Sequence, residues 1–191
     1  MGRIVVSEFV SVDGVMEAPG GEPGYAHSGW VLRFQVPAQV EYKLEEVLAA
    51  EALLIGRRTY DSFAGAWPQR EGEFADRMNA IPKYVASTTL TDPEWSNTTV
   101  LDDDVTEAVA KLKAGLRSDI LVAGSRSLVN TLAHHDLVDE YRLMVFPIVL
   151  GSGMRLFDET PDATTLDLVD TRPLESGTVI LTYHVARPKE D

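Results

Sequence analysis

Two stretches of this chain place glycine and arginine directly after a short apolar run. They are Leu53-Leu54-Ile55-Gly56-Arg57-Arg58-Thr59-Tyr60 and Leu121-Val122-Ala123-Gly124-Ser125-Arg126-Ser127-Leu128. Each reads as a strand that turns into a helix. The first N–H groups of such a helix have no internal partner and carry partial positive charge, which suits phosphate. Glycine lets backbone come close to a ligand, and arginine grips phosphate with paired hydrogen bonds. The chemistry these residues could serve is the binding of a phosphate-bearing ligand beyond the carboxyl ends of strands. On composition alone, ordinary turns with solvated arginines explain the junctions equally well.

Other chemistries find less support. The chain has no cysteine, which excludes disulfides, thiolate zinc sites and a cysteine nucleophile. Ser125 is not set in Gly-x-Ser-x-Gly, so it reads as a phosphate-contacting hydroxyl rather than a hydrolase nucleophile. No nucleophile–base pair can be picked out. Gly124 lacks the further spaced glycines of a Rossmann fingerprint, and Gly151-Ser152-Gly153-Met154-Arg155-Leu156 reads as a loop. His134-His135 reads as a solvated pair at a helix end, and Asp102-Asp103-Asp104 as a cap with flanking charge, so no metal site is expected. With 17 basic and 30 acidic residues the net charge is −13, which repels nucleic acid. No apolar run approaches the roughly 20 residues of a membrane helix, and no signal peptide is legible, so a cytoplasmic location is the default.

The elements that must position these residues follow from periodicity and punctuation. Residues 3–12 alternate and are rich in Val, Ile and Phe, predicting a strand that ends at an Asp13-Gly14 turn. Residues 17–29 hold four Gly and two Pro and predict a long irregular loop. Helices are predicted over 37–50, 57–63, 71–80, from an Asp103 or Asp104 cap through 114 with Gly115 as the stop, and from 124 to about 134. Strands are predicted at 52–55, 82–87, 98–101, 120–123 and 139–150. The tail, 166–172 and 178–186 about Glu175-Ser176-Gly177, predicts an antiparallel hairpin. All 191 residues form one α/β domain, with a mostly parallel central sheet flanked by helices.

The ordered set of motifs resembles a known superfamily. Residues 54–60 look like the Gly-Arg-x-Thr-Tyr/Trp element of dihydrofolate reductases. Ser11-Val12-Asp13-Gly14-Val15 resembles the Ser-Leu-Asp-Gly start of the reductase domain at the C-terminal end of bifunctional riboflavin-biosynthesis proteins. Residues 122–128, 138–143 and 147–157 resemble further elements of that domain, in its order and across nearly the whole chain.

The resemblance implies a dihydrofolate-reductase-like fold, NADPH as cofactor, a small-molecule substrate and a homodimer. Carried over by position, Gly56, Arg57, Arg58 and Thr59 face the cofactor's phosphates, and Ser87 and Thr88 lie by its 2′-phosphate. Gly124, Ser125, Arg126, Ser127 and Leu128 hold the pyrophosphate and nicotinamide side. Val12, Asp13 and Gly14 cover the nicotinamide. Asp13 either donates a proton as a catalytic residue or holds its turn. Trp30 and Phe34 either line a substrate pocket or belong to the core. Two departures matter: Gly124-Ser125 stands where dihydrofolate reductases have Gly-Gly, and no acid follows Trp30 until Glu41. Glu17 or Glu41 could replace that acid in space, and Gln35 lies near its position. No His-x-Glu and no cysteine pair of a zinc deaminase is present. The expected function is NADPH-dependent reduction of a pterin-like, riboflavin-precursor-like or carbonyl substrate. The alternative is a nucleotide-binding module of the same fold with little or no turnover.

Overall fold

A computed structural model describes residues 1–159 and 163–186. Among these residues, eight strands form one sheet, with five α-helices packed on it. The strands are β1 (Arg3–Ser11), β2 (Ala50–Gly56), β3 (Lys83–Ala86), β4 (Thr98–Leu101), β5 (Asp119–Val122), β6 (Glu140–Phe146), β7 (Leu166–Pro173) and β8 (Val179–Val185). The helices are α1 (Pro37–Ala49), α2 (Arg57–Ala66), α3 (Glu73–Ala80), α4 (Val105–Gly115) and α5 (Arg126–His134). The sheet order is β4-β3-β2-β5-β1-β6-β8-β7. The first six strands run parallel, and β8 pairs antiparallel with both β6 and β7. This is the expected dihydrofolate-reductase-like α/β architecture.

Central strands are buried on both faces, which is why they read as nearly continuous apolar runs. On β1, Ile4, Val6 and Val10 pack with Val109 of α4 and Leu128, Val129 and Leu132 of α5. Val5 faces the other way, toward Val47 of α1, Tyr60 of α2 and Met78 of α3. A third cluster, around Trp30, Val31, Met144 and Phe146, fills the antiparallel end. α1 is fastened to the sheet by ion pairs as well as packing. Glu46 meets Lys43 at 2.6 Å and Arg142 at 3.5 Å, and Arg142 continues to Glu140 and Asp119.

Differences from the expected elements are local. Strand β6 stops at Phe146, four residues short of the predicted end, because Pro147 has no N–H to offer the ladder. Helix α2 runs on to Ala66, through Gly65, before Pro68 interrupts it. The long loop contains an unpredicted 3₁₀ turn at Trp30–Phe34. Asp104 caps α4 as expected, accepting from the N–H of Thr106 (2.9 Å) and Glu107 (3.2 Å).

Lys83 is the least conventional core residue. Its side chain is fully buried on β3 and has no carboxylate partner among the described residues. Nζ instead donates to the carbonyls of Asn79, Ile81 and Ser96 at 2.8–3.0 Å and lies 4.4 Å from the Trp95 ring centroid. Burial, with a smaller push from Arg77, lowers its pKa to about 8. Between about pH 8 and 10 the unfolded chain therefore binds the proton that the folded chain has released, so stability rises with pH across that window. Lys83→Met should lower stability at neutral pH by about 1–3 kcal/mol, because three carbonyls lose their donor. It should also flatten the alkaline rise, and urea unfolding at neutral and alkaline pH measures both effects.

Candidate functional site

Parallel strands deliver their carboxyl ends to one edge of the sheet. Because β3, β2, β5 and β1 are consecutive neighbours, Gly56 at the end of β2 and Ser87, Gly124 and Asp13 just past β3, β5 and β1 belong to strands that end side by side. The two glycine junctions are pressed against each other. A Cβ on Gly56 would collide with the Ser125 hydroxyl and approach Ser125 Cβ to 3.0 Å. A Cβ on Gly124 would collide with the Thr59 hydroxyl and come within 3.4 Å of Thr59 Cβ. Gly124 also has φ +61°, and its peptide to Ser125 is cis. Both glycines thus let β2–α2 close on β5–α5.

Electrostatically this edge suits an anion. Neither α2 nor α5 has a side-chain cap or an acidic residue in its first turn, so their leading N–H groups are free. Arg57 donates to Asp61 at 2.9 Å and to Thr89 Oγ1 at 3.3 Å, bringing it to the turn after β3. That turn is held by the buried Ser87, whose Oγ accepts from the N–H of Thr89 (3.2 Å) and Leu90 (3.1 Å), while Thr88 is exposed. Thr89 was not among the expected residues. Arg58 is exposed and has no partner among the described residues.

Other expected residues are committed elsewhere. Arg126 donates to the carbonyl of Arg155 at 2.6 Å and forms an ion pair with Asp158. These contacts fasten the loop after β6 to the start of α5. Leu128 is buried in the core beside α5's neighbours and Ser127 is exposed, so Leu128 offers no side chain to a ligand. Asp13 accepts from Ser11 Oγ (2.6 Å), Leu150 N–H (3.1 Å) and Gly151 N–H (2.8 Å). Those bonds, led by Ser11, lower its pKa to about 2. Asp13 is a turn brace, and a carboxyl so readily ionised is no proton donor at neutral pH. Val12 beside it is 63% exposed and free to cover a ligand, and Gly14 turns the chain at φ +82°.

The aromatic pair divides. Trp30 is only 1% exposed, packs edge-on against Phe146 at 5.3 Å, and donates Nε1–H to the Glu17 carbonyl at 2.9 Å. It is a core residue, not part of a pocket wall. Phe34 is half-buried, 5.9 Å from Phe146, and keeps a face toward the surface. The two alternative acids differ in their surroundings. Glu17 accepts from Met154 N–H at 2.8 Å, and Glu41 and Gln35 are exposed.

The residue that sequence reasoning missed is Glu8. It is buried mid-way along β1, and Oε1 accepts the N–H of Gly124 at 2.5 Å. Burial raises its pKa to about 7, against the opposing pull of the Gly124 bond and of Lys43, with Glu46 adding to the rise. The available signal was a carboxylate inside an otherwise apolar strand covered on both faces, which is rare unless the group is paired or functional.

Comparison with known proteins matches residues 3–180 to the family described as RibD C-terminal domain. Two Bacillus subtilis (strain 168) proteins, both uncharacterized, are similar along nearly all of their length. YyaP is 29% identical over 187 residues, 95% of this chain and 94% of YyaP. YwjB is 27% identical over 170 residues, 89% and 91% of the two chains. In structure, a Shewanella sp. PV-4 protein assigned to riboflavin biosynthesis superposes with a TM-score of 0.76, at 21% identity, covering 97% of this chain and 99% of that one. A pyrimidine reductase-like protein of Corynebacterium diphtheriae gives 0.66 at 14% identity, with 97% and 92% covered. These two likenesses speak for the fold.

The interlock has a direct consequence for stability. Gly56→Ala should cost about 1–3 kcal/mol through overpacking against Ser125. Gly65→Ala, in an exposed turn of α2 where a Cβ meets nothing within 4 Å, should instead gain up to about 1 kcal/mol. Urea unfolding of the two variants checks the contrast, and equal effects would show that the junctions do not bear on each other.

Proposed function

This chain belongs to the RibD C-terminal domain family, and from that premise we propose that it is an NADPH-dependent reductase of a small heterocyclic or carbonyl substrate. The observation that carries the reading is the shared edge, where two uncapped helix N-termini meet Arg57, Arg58 and the Ser87–Thr89 turn in a chain of net charge −13. Basic groups gathered there against the overall field favour a polyanionic ligand. When bound, the cofactor supplies a hydride, and the protein contributes position and electrostatics.

The residues present fit that ligand. The first-turn N–H groups of α2 and α5, with the hydroxyls of Thr59 and Ser125, offer donors for a pyrophosphate. Arg57, Arg58, Ser87 and Thr88 offer charge and hydroxyls for a 2′-phosphate. Arg57 is held by an exposed ion pair with Asp61, and such pairs contribute about 0–1 kcal/mol, so a phosphate can displace it. On this reading Val12 and Gly14 cover the nicotinamide end, and Phe34 offers a flat apolar surface to a ring. Asp13 and Trp30 have no part in the chemistry on this reading.

NADPH should bind about ten- to a hundredfold more tightly than NADH, the effect of one or two charge-assisted phosphate contacts. Arg57→Ala combined with Arg58→Ala should erase the difference. Fluorescence titration with both cofactors decides it, and equal affinities for the unaltered protein would remove the 2′-phosphate assignment.

Dihydrofolate should be a poor substrate. A pterin presents N–H donors that want an ionised carboxylate, and Glu17 is engaged while Gln35 is neutral. A ring of the riboflavin-precursor type with a polar arm fits the site better. Turnover of NADPH with dihydrofolate, with aminopyrimidine precursors and with simple carbonyls separates these classes. A dihydrofolate rate constant in the ordinary enzyme range, about 1–1000 per second, would overturn this view of the substrate side.

A further inference from the structure

Four carboxylates are buried among the described residues: Glu8, Glu46, Asp119 and Glu140. Three of them touch cations. Glu46 meets Lys43 and Arg142, Asp119 meets Arg3 and Arg142, and Glu140 meets Arg3 and Arg142. Glu8 touches none. Its one hydrogen bond is the Gly124 N–H, at 2.5 Å. An ionised carboxylate buried without a cation is costly, and the group escapes that cost by taking a proton. Its sole partner is the glycine at which the β5–α5 junction bends.

We propose that Glu8 is the positioning residue of the cofactor edge and that NADPH binding is coupled to uptake of a proton by its carboxylate. The inference rests on the proposed cofactor. Phosphate charge brought to the β5–α5 junction lies on the same side as the Glu8 carboxylate and opposes its ionised form. The neutral acid keeps a carbonyl oxygen for the Gly124 N–H, so the loop stays braced in either state. The charged groups that act on Glu8 are Lys43 and Glu46 of α1, which have opposite signs. On its own face the neighbours are apolar, Leu128 of α5 and Leu143 of β6, and Arg126 is turned to Asp158.

The sign follows from the free protein. Burial has raised Glu8 to about 7, so below that pH it already holds its proton and binding takes up little. Above about pH 7 binding must collect the proton, and affinity falls by up to about tenfold per pH unit until the bound-state pKa is reached.

The experiment is calorimetric titration of the intact protein with NADPH, at several pH values between about 6.5 and 9, in buffers of different ionisation enthalpy. Glu8→Gln keeps an acceptor for Gly124 and cannot titrate. The unaltered protein should take up a proton above neutrality, whereas E8Q should not. E8Q should also bind several-fold more tightly at the alkaline end, after the shared titration of the cofactor's own phosphate is subtracted. Identical proton uptake in the two proteins overturns the proposal while leaving the cofactor assignment intact. An unaltered protein that binds no NADPH at any pH overturns both. Infrared difference spectra of the unaltered protein near pH 8 give a second reading that needs no variant. Addition of NADPH should raise a protonated-carboxyl band, and its absence counts against Glu8.

Discussion

The steric constraint between two glycines organises this molecule. Gly56 and Gly124 end neighbouring parallel strands, and neither position has room for a Cβ because the other junction's hydroxyl residue occupies the space. Closure of β2–α2 against β5–α5 sets where both helices begin, and so where their unpaired N–H groups point. It also sets the distance over which Glu8 can reach Gly124 from β1, the next strand along. Widening of that seam would separate the two helix N-termini. The anion-attracting edge is thus a by-product of packing before it is a binding device.

Charge follows the same division. Away from the edge, Arg3 and Arg142 are neutralised by Asp119 and Glu140, Lys43 by Glu46, and Lys113 by Asp139 at 2.5 Å, whereas Lys83 is held by carbonyls. At the edge, Arg57 is held only by an exposed partner, and Arg58 by none among the described residues. A chain of net charge −13 therefore still gathers two basic side chains, Arg57 and Arg58, where α2 starts.

Much of this was legible in the residues. Strand and helix alternation follows from apolar periodicity punctuated by Gly and Pro, and the closing hairpin from its Gly177 turn at φ +81°. The two junctions were legible because their signature is local. What stayed hidden depends on contacts distant in sequence. Glu8 and Gly124 lie 116 positions apart, and no local pattern tells which buried group a strand carboxylate will meet. The partner of Arg126 was hidden for a related reason, since Asp158 sits in a loop that sequence cannot dock. Asp13 and Trp30 were ambiguous between chemistry and support because the contacts that bear on each are distant in sequence, Leu150 and Gly151 for Asp13 and Phe146 for Trp30.

Lys83 has one more implication. Its amine is enclosed by three carbonyls and an indole face, with no exposed surface. Burial is what lowers its pKa, so once uncovered the amine recovers the ordinary value and the nucleophilicity of the lysines on the surface. An acylating reagent can reach it only through an opening that lifts β3 away from α3 and the Trp95 loop. The rate at which this single amine becomes labelled is therefore a built-in clock for how often that side of the sheet comes apart.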